Sequence, residues 1–205
     1  MHARKTVVKG SPEKVGEADR VIKSHVIPRA KELDGFRGGY WLIDRATGEV
    51  VSFTFFETQE HLAASAAGAA QIRSEGTRQI GAEVASVDEF EVALDTGQKV
   101  HQGANFARVV HFEGDPNAIT MIEENVLPRA RELTGFLGGF WLFDRSATKG
   151  VGVTLFDSAE HLASSREAAA GIRAQSAQRS SGRIGEFKEY EVLDRAETPA
   201  SAAAR

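Results

Sequence analysis

Residues Gly35–Arg45 read GFRGGYWLIDR, and Gly135–Arg145 read GFLGGFWLFDR. The likeness runs without a gap over Val26–Arg73 and Val126–Arg173, an offset of 100 residues at which about half of the positions are identical. A period that long is too large for a solenoid unit and matches a whole small domain. The chain therefore reads as two copies of one domain joined head to tail. The expected division is a first repeat over 1–94, a linker over 95–104, a second repeat over 105–195 and a disordered tail over 196–205.

Each repeat reads strand, helix, strand, strand, helix, strand. In the first, Lys5–Lys9 is a β-rich run, and Gly10-Ser11-Pro12 opens a helix with Ser11 as N-cap and Pro12 at its first position. Val15, Ala18, Ile22, Val26 and Leu33 form a helical stripe, inside which Pro28 should kink the helix or split off its last turn. Gly35 ends it. Phe36–Arg45 and Val51–Phe56 read as strands around a Thr47-Gly48 turn, Thr58–Ile80 as one long Ala-rich helix, and Val87–Ala93 as the closing strand. The second repeat has the same order over Ala107–Phe112, Pro116–Leu133, Phe136–Arg145, Val151–Phe156, Ser158–Arg179 and Phe187–Leu193. Its first helix is shorter by four residues, close to one turn. A βαββαβ order predicts an α+β fold, the ferredoxin-like motif, with an antiparallel sheet and both helices on one face. Two such sheets bury their bare faces by closing into one intramolecular, pseudo-dimeric α/β barrel.

Composition narrows the classes. The chain has 205 residues, 41% hydrophobic and 26% charged, with a net charge of −4. It carries no basic stripe, so a nucleic-acid partner is not expected. No apolar run approaches the roughly 20 residues that span a bilayer, so no membrane partner is expected. MHARKTVVKG lacks the apolar core of a signal peptide. Cysteine is absent, which excludes disulfides, thiolate catalysis, zinc–cysteine sites and iron–sulfur clusters and fits a cytoplasmic setting. No HExxH spacing is present, so no metal site is expected.

The Val-Ile-Pro-Arg-Ala helix end, the GFRGGYWLIDR strand and the strand-to-helix passage TFFETQEHLAAS (Thr54–Ser65) resemble the dimeric α+β barrel superfamily, in particular its antibiotic-biosynthesis-monooxygenase-like members. The resemblance implies a pocket between sheet and helices in each repeat. Its oxygenases use no cofactor: they bind a flat aromatic or polyketide-like phenol, deprotonate it and let it react with O2. Such a site needs an aromatic wall, a donor for the oxyanion and a base. The superfamily also holds stress-related, non-catalytic and haem-degrading proteins, and fold does not imply function.

Several residues are candidates for that site. Gly38-Gly39 and Gly138-Gly139 either make room for a ligand or mark bulges that curve the sheet. Trp41 and Trp141 follow them, as a stacking wall or as core. Tyr40 lies on the opposite face, and its counterpart Phe140 lacks the hydroxyl. His61 and His161 are the histidines that repeat. Each lies in the first turn of a helix, where the positive helix end favours a neutral, proton-accepting ring, so they are the candidate general bases, or else polar residues near a cap. Arg29/Arg129, Arg45/Arg145 and Arg73/Arg173 also repeat and supply either oxyanion donors or surface pairs. Ser65 and Ser165 have no nucleophile-elbow context. No repeated mid-helix histidine offers itself as a haem ligand. A small aromatic molecule is the expected partner, and assembly beyond the single-chain pseudo-dimer is open.

Overall fold

Alternation along the two GG-aromatic-Trp strands decides which side chains face the helices. In the computed structural model, which describes residues 1–97, 101–114, 118–179 and 182–197, eight strands are present. They are β1 (His2–Lys9), β2 (Phe36–Asp44), β3 (Glu49–Phe56), β4 (Glu83–Asp95), β5 (Phe106–Glu113), β6 (Phe136–Asp144), β7 (Lys149–Phe156) and β8 (Arg183–Glu197). They hydrogen-bond in the order β1-β3-β2-β8-β5-β7-β6-β4 and close into one antiparallel barrel, the expected α+β fold class. β4 and β8 are longer than the runs expected from their hydrophobic cores. Two units divide the chain, Met1–Glu89 with the residues from Val192 onward, and Phe90–Glu191. Expected features at 98–100, 115–117, 180–181 and 198–205, which include the helix start at Pro116 and most of the tail, lie outside the described residues.

In the first unit, β2 and β3 form a hairpin with Trp41 opposite Ser52 and Leu42 opposite Val51, and β1 pairs with the other edge of β3. Its turn is held by Asp44, whose carboxylate accepts from Ala46 N–H and the Thr47 hydroxyl. Trp41, Ile43 and Phe36 pack against the helices with Ile22, Ile27 and Leu62. Tyr40, Leu42, Val51 and Phe53 share the opposite face and are buried as well. A register shift falls between Phe36 and Gly38, so the first glycine pair lies at a bulge.

The first helical stretch is a 3-10 turn (Pro12–Lys14), α1 (Val15–Val21), a π turn (Ile22–Val26) and α2 (Ile27–Lys31). Ser11 is extended at the start but makes no side-chain cap. Pro28 stands in the first turn of α2, directly after a π turn in which Ile27 N–H reaches Ile22 O, so the helical stretch is split just before the proline. The second long helix is also two helices, α3 (Gln59–Ala64) and α4 (Ala66–Ile80), broken at Ser65. Its N-cap is Thr58, whose hydroxyl accepts from His61 N–H.

The second unit repeats these devices. After α5 (Ala118–Met121) come a π turn (Ile122–Val126) and α6 (Leu127–Ala130) before Pro128 can disrupt the ladder. The later helices are α7 (Ala159–Ser164), capped by Ser158, and α8 (Arg166–Arg179), with the break at Ser165. β5 lies between β7 and β8, and β6 pairs with β7 with Trp141 opposite Gly152.

Gly35 and Gly135 turn each chain from helix into strand with φ of +70° and +73°. A Cβ at Gly35 would meet His61 Cγ at 2.2 Å, and one at Gly135 would meet Asp157 Oδ1 and His161 Nδ1 at 2.4 Å. Gly35→Ala and Gly135→Ala each add a left-handed penalty of about 1–2 kcal/mol to a steric clash. Urea unfolding is expected to show each variant destabilised by at least about 1 kcal/mol, and neutral variants would contradict this account of the turn.

Candidate functional site

The site grows from one buried cation. Arg108 stands in the middle of β5 and is 2% exposed. Its Nη2 donates to Leu162 O (2.9 Å), Ser165 Oγ (3.0 Å) and Glu189 Oε1 (2.8 Å), and its Nε donates to the same carboxylate oxygen at 3.1 Å. Ser165 Oγ in turn donates to Leu162 O at 2.7 Å, so the helix break supplies the acceptors that the guanidinium needs. The guanidinium lies 5.5 Å over the Phe156 ring and 5.3 Å over Phe187. Arg166 reaches the second oxygen of Glu189 at 2.5 Å. Burial works to raise the Glu189 carboxyl, but hydrogen bonds from Arg166 and Arg108 outweigh it and leave its pKa below the ordinary value.

Above this cluster the second unit contains a cavity of about 110 Å³ between its sheet and its helices. Most of its wall is apolar: Val110, Phe112, Ile122, Val126, Leu133, Phe136, Phe156, Ile172 and Ile184, with the indole of Trp141. The polar groups that reach it are Arg108, Arg173, Thr154, Ser176 and Glu113. Ser176 Oγ donates to Ile172 O within α8. Arg173 differs from its neighbours. Its guanidinium stacks 4.6 Å over Phe187 and makes no hydrogen bond or ion pair among the described residues. Desolvation, and then the charge of Arg108, push its pKa down, with Glu189 opposing. The Trp141 indole N–H, at 4% residue exposure, likewise meets no acceptor among the described residues.

Glycine sets the pose of Trp141. A Cβ on Gly152 would lie 2.8 Å from Trp141 Nε1 and 2.9 Å from Cδ1. In the first unit the corresponding residue is Ser52, and the Trp41 ring lies elsewhere, with Cη2 2.8 Å from a Cβ placed on Gly39. There Trp41 is 2% exposed within a buried cluster that includes Val15, Ile22, Ile27, Phe36 and Leu62. Trp141, 4% exposed, packs with Ile122 and Leu127 and also lines the cavity.

The other candidates do not converge on the cavity. Gly38, Gly39, Gly138 and Gly139 do not line it. Gly138 (φ +98°) and Gly139 form a bulge that receives Thr96, whose hydroxyl bonds Gly139 N–H and O and faces the buried His101. Tyr40 packs edge-on against Phe55 on the face turned away from the helices. His161 lies against the Gly135 turn with Nδ1 2.7 Å from Asp157 Oδ1, and its hydrogen bond is the main reason that carboxyl sits below its usual pKa. His61 Nδ1 lies 3.3 Å from Thr58 Oγ1 and Nε2 3.7 Å from Asp34. Neither histidine lines the cavity. Sequence reading overlooked Arg4 and Arg108, which match at an offset of 104 rather than 100. The one available signal was a lone arginine in each opening strand.

Comparison with known proteins agrees on fold. No family model matches the chain. Over 198 residues it is 26% identical to the uncharacterized Mycobacterium tuberculosis proteins Rv2558 and Rv2557, covering 94% of this chain and 83% and 87% of theirs. A candidate monooxygenase from Lactobacillus acidophilus has a similar structure (TM-score 0.63, 10% identity, 96% of this chain and 97% of that one). So do an anthrone oxidase-like protein (0.62, 14%, 100% and 96%) and a heme-binding protein from Thermus thermophilus (0.58, 9%, 94% and 91%). The fold is that of the dimeric α+β barrels, carried by a single chain.

Two outcomes test the site's construction. The depressed Glu189 pKa means that its ion pairs stabilise the fold above about pH 4.5 and release that stability as pH falls. Glu189→Gln is expected to lower the urea midpoint at pH 7 and to flatten its fall between about pH 5 and pH 3; an unchanged acid slope would contradict the pairing. Gly152→Ser is expected to expel the Trp141 indole from its seat at a cost of about 1–3 kcal/mol, read as a changed tryptophan emission maximum and a lower Tm.

Proposed function

We propose that the second unit's cavity binds a small aromatic molecule. On this reading the protein is a cytoplasmic, antibiotic-biosynthesis-monooxygenase-like protein that lets a phenolic or polyketide-like ring react with O2 without a cofactor. The observation that carries the reading is an apolar cavity walled by Trp141, with a guanidinium at its edge. An apolar cavity of about 150 Å³ holds a benzene ring; this one, at about 110 Å³ and partly open, suits a flat molecule whose edge protrudes. The wall excludes water, and the cation favours the oxyanion over the neutral phenol. Of the residues expected from the sequence, Trp141 lines this cavity; His61 and His161 remain the proposed bases from outside its wall, while Trp41, Tyr40, Gly38-Gly39 and Gly138-Gly139 lie away from it.

A second reading, binding without turnover, is favoured by the cavity wall itself, which contains no histidine. Haem is the less favoured ligand for this cavity, whose wall offers only Met121 among the usual axial-ligand residue types. Among the described residues no group of three or more metal-binding side chains gathers, and no helix is long and apolar enough to cross a membrane.

A thermal-shift panel of polycyclic phenols and quinones, with haem beside them, tests the binding. A ligand at about 100 times its Kd adds roughly 2.7 kcal/mol, a rise of several degrees in Tm. A phenol is expected to register, and silence across the phenols would overturn the reading. Oxygen uptake with the ligand so found separates oxygenase from binding protein. His61→Ala/His161→Ala is expected to leave the thermal shift intact, since neither ring lines the cavity, and full uptake by the double variant would remove the base assignment.

A further inference from the structure

The geometry points to an anionic ligand: we propose that the cavity takes a flat aromatic carboxylate whose charged end is bound by Arg173. This rests on the reading of the cavity as a binding site for aromatic molecules and names its ligand class. Arg173 presents five N–H donors in a rigid fork, and no described residue accepts from them. The guanidinium is half-buried, and a carboxylate can take two of its donors at once.

The local charge favours an anion over a neutral acceptor. In the second unit Arg108, Arg166 and Arg173 surround one carboxylate, Glu189, and both of its oxygens are already engaged. In the first unit Arg4 and Arg73 face Glu89, and the residue corresponding to Arg166 is Ala66. The extra cation thus occurs in the unit that has the cavity. Glu113, the carboxylate in the wall, stands five residues along β5 from Arg108, roughly 17 Å away. The cavity is therefore positive at one end and negative at the other, so an anionic ring enters with its charge toward Arg173 and its apolar edge along Trp141.

Isothermal titration calorimetry of the full chain with 2-naphthoate and with its neutral analogue 2-naphthalenemethanol tests this. The wild type is expected to bind the naphthoate more tightly than the alcohol. Arg173→Gln is expected to weaken naphthoate by about tenfold or more and to change the alcohol by less than about twofold. Arg173→Lys, which keeps the charge and loses the fork, is expected to recover part of the loss. Equal affinity for both ligands, or naphthoate binding unmoved by Arg173→Gln in a variant with wild-type Tm, overturns the anion assignment and leaves the aromatic site standing. Binding of neither ligand overturns both.

Discussion

A guanidinium in the middle of a buried strand must find its acceptors inside the protein, and much of each unit is arranged to provide them. Arg108 takes the Leu162 carbonyl, the Ser165 hydroxyl and Glu189, and Arg4 takes Leu62, Ser65 and Glu89 in the same way. A continuous helix would have used the carbonyl of residue 62 or 162 for its own ladder. Breaking the helix at serine frees that carbonyl, and the serine hydroxyl fills its second lone pair. The break then sets the direction of α4 and α8, and with it the distance between helix and sheet. Removing one member of such a cluster leaves an uncompensated buried charge, worth roughly 3–5 kcal/mol. That penalty ties the opening strand, the closing strand and the second helix pair of each unit into one arrangement.

Much of this architecture could be read from the chain. The glycine-aromatic strands and the alternation that sends Trp41 and Tyr40 to opposite faces appear as expected. What could not be read depends on tertiary contacts. Thr58–Ile80 is periodic throughout, and nothing local marks Ser65 as a break, because its cause is an arginine 61 residues away. Pro28 announces a disturbance but not its form, since a kink and a π turn leave the same proline in the sequence. Arg4 and Arg108 escaped notice because the four-residue difference in the first helices lies between them and the ungapped repeat, so their match is out of phase. The cavity was least legible, because it depends on a residue that is missing a side chain, Gly152, whose importance shows only when Trp141 is seen resting on it.

The two units show how one fold serves two ends through few substitutions. Ser52 and Gly152 select where the tryptophan lies. A Cβ placed on Gly76 would come within 3.3 Å of Val26 Cγ2 and 3.8 Å of Val21 Cγ1, whereas Ser176 lines the cavity. Phe112 takes the place of Val8, and its ring lies over Gly150 where the first unit has Val50. Glu89 is 49% exposed and Glu189 15%, so the carboxylate that neutralises the arginines is the more deeply held one where Arg166 is added. Each change is small, and all of them fall on the helix-facing side of the sheet or on the helices above it. The opposite face, with Phe53, Leu42, Leu142 and Val153, stays fully packed in both units.

The void itself bears on function. The cavity, about 110 Å³, is partly open to solvent, so it costs less than a sealed void of the same size. In the first unit Trp41 packs in a buried cluster with Val15, Ile22, Ile27 and Leu62. In the second, Gly152 seats the Trp141 indole, and the cavity beside it is lined by the half-buried Arg173. An apolar space next to a cation is what the proposed aromatic anion would fill, since one molecule could bury its ring against the indole and pair its charge with the guanidinium.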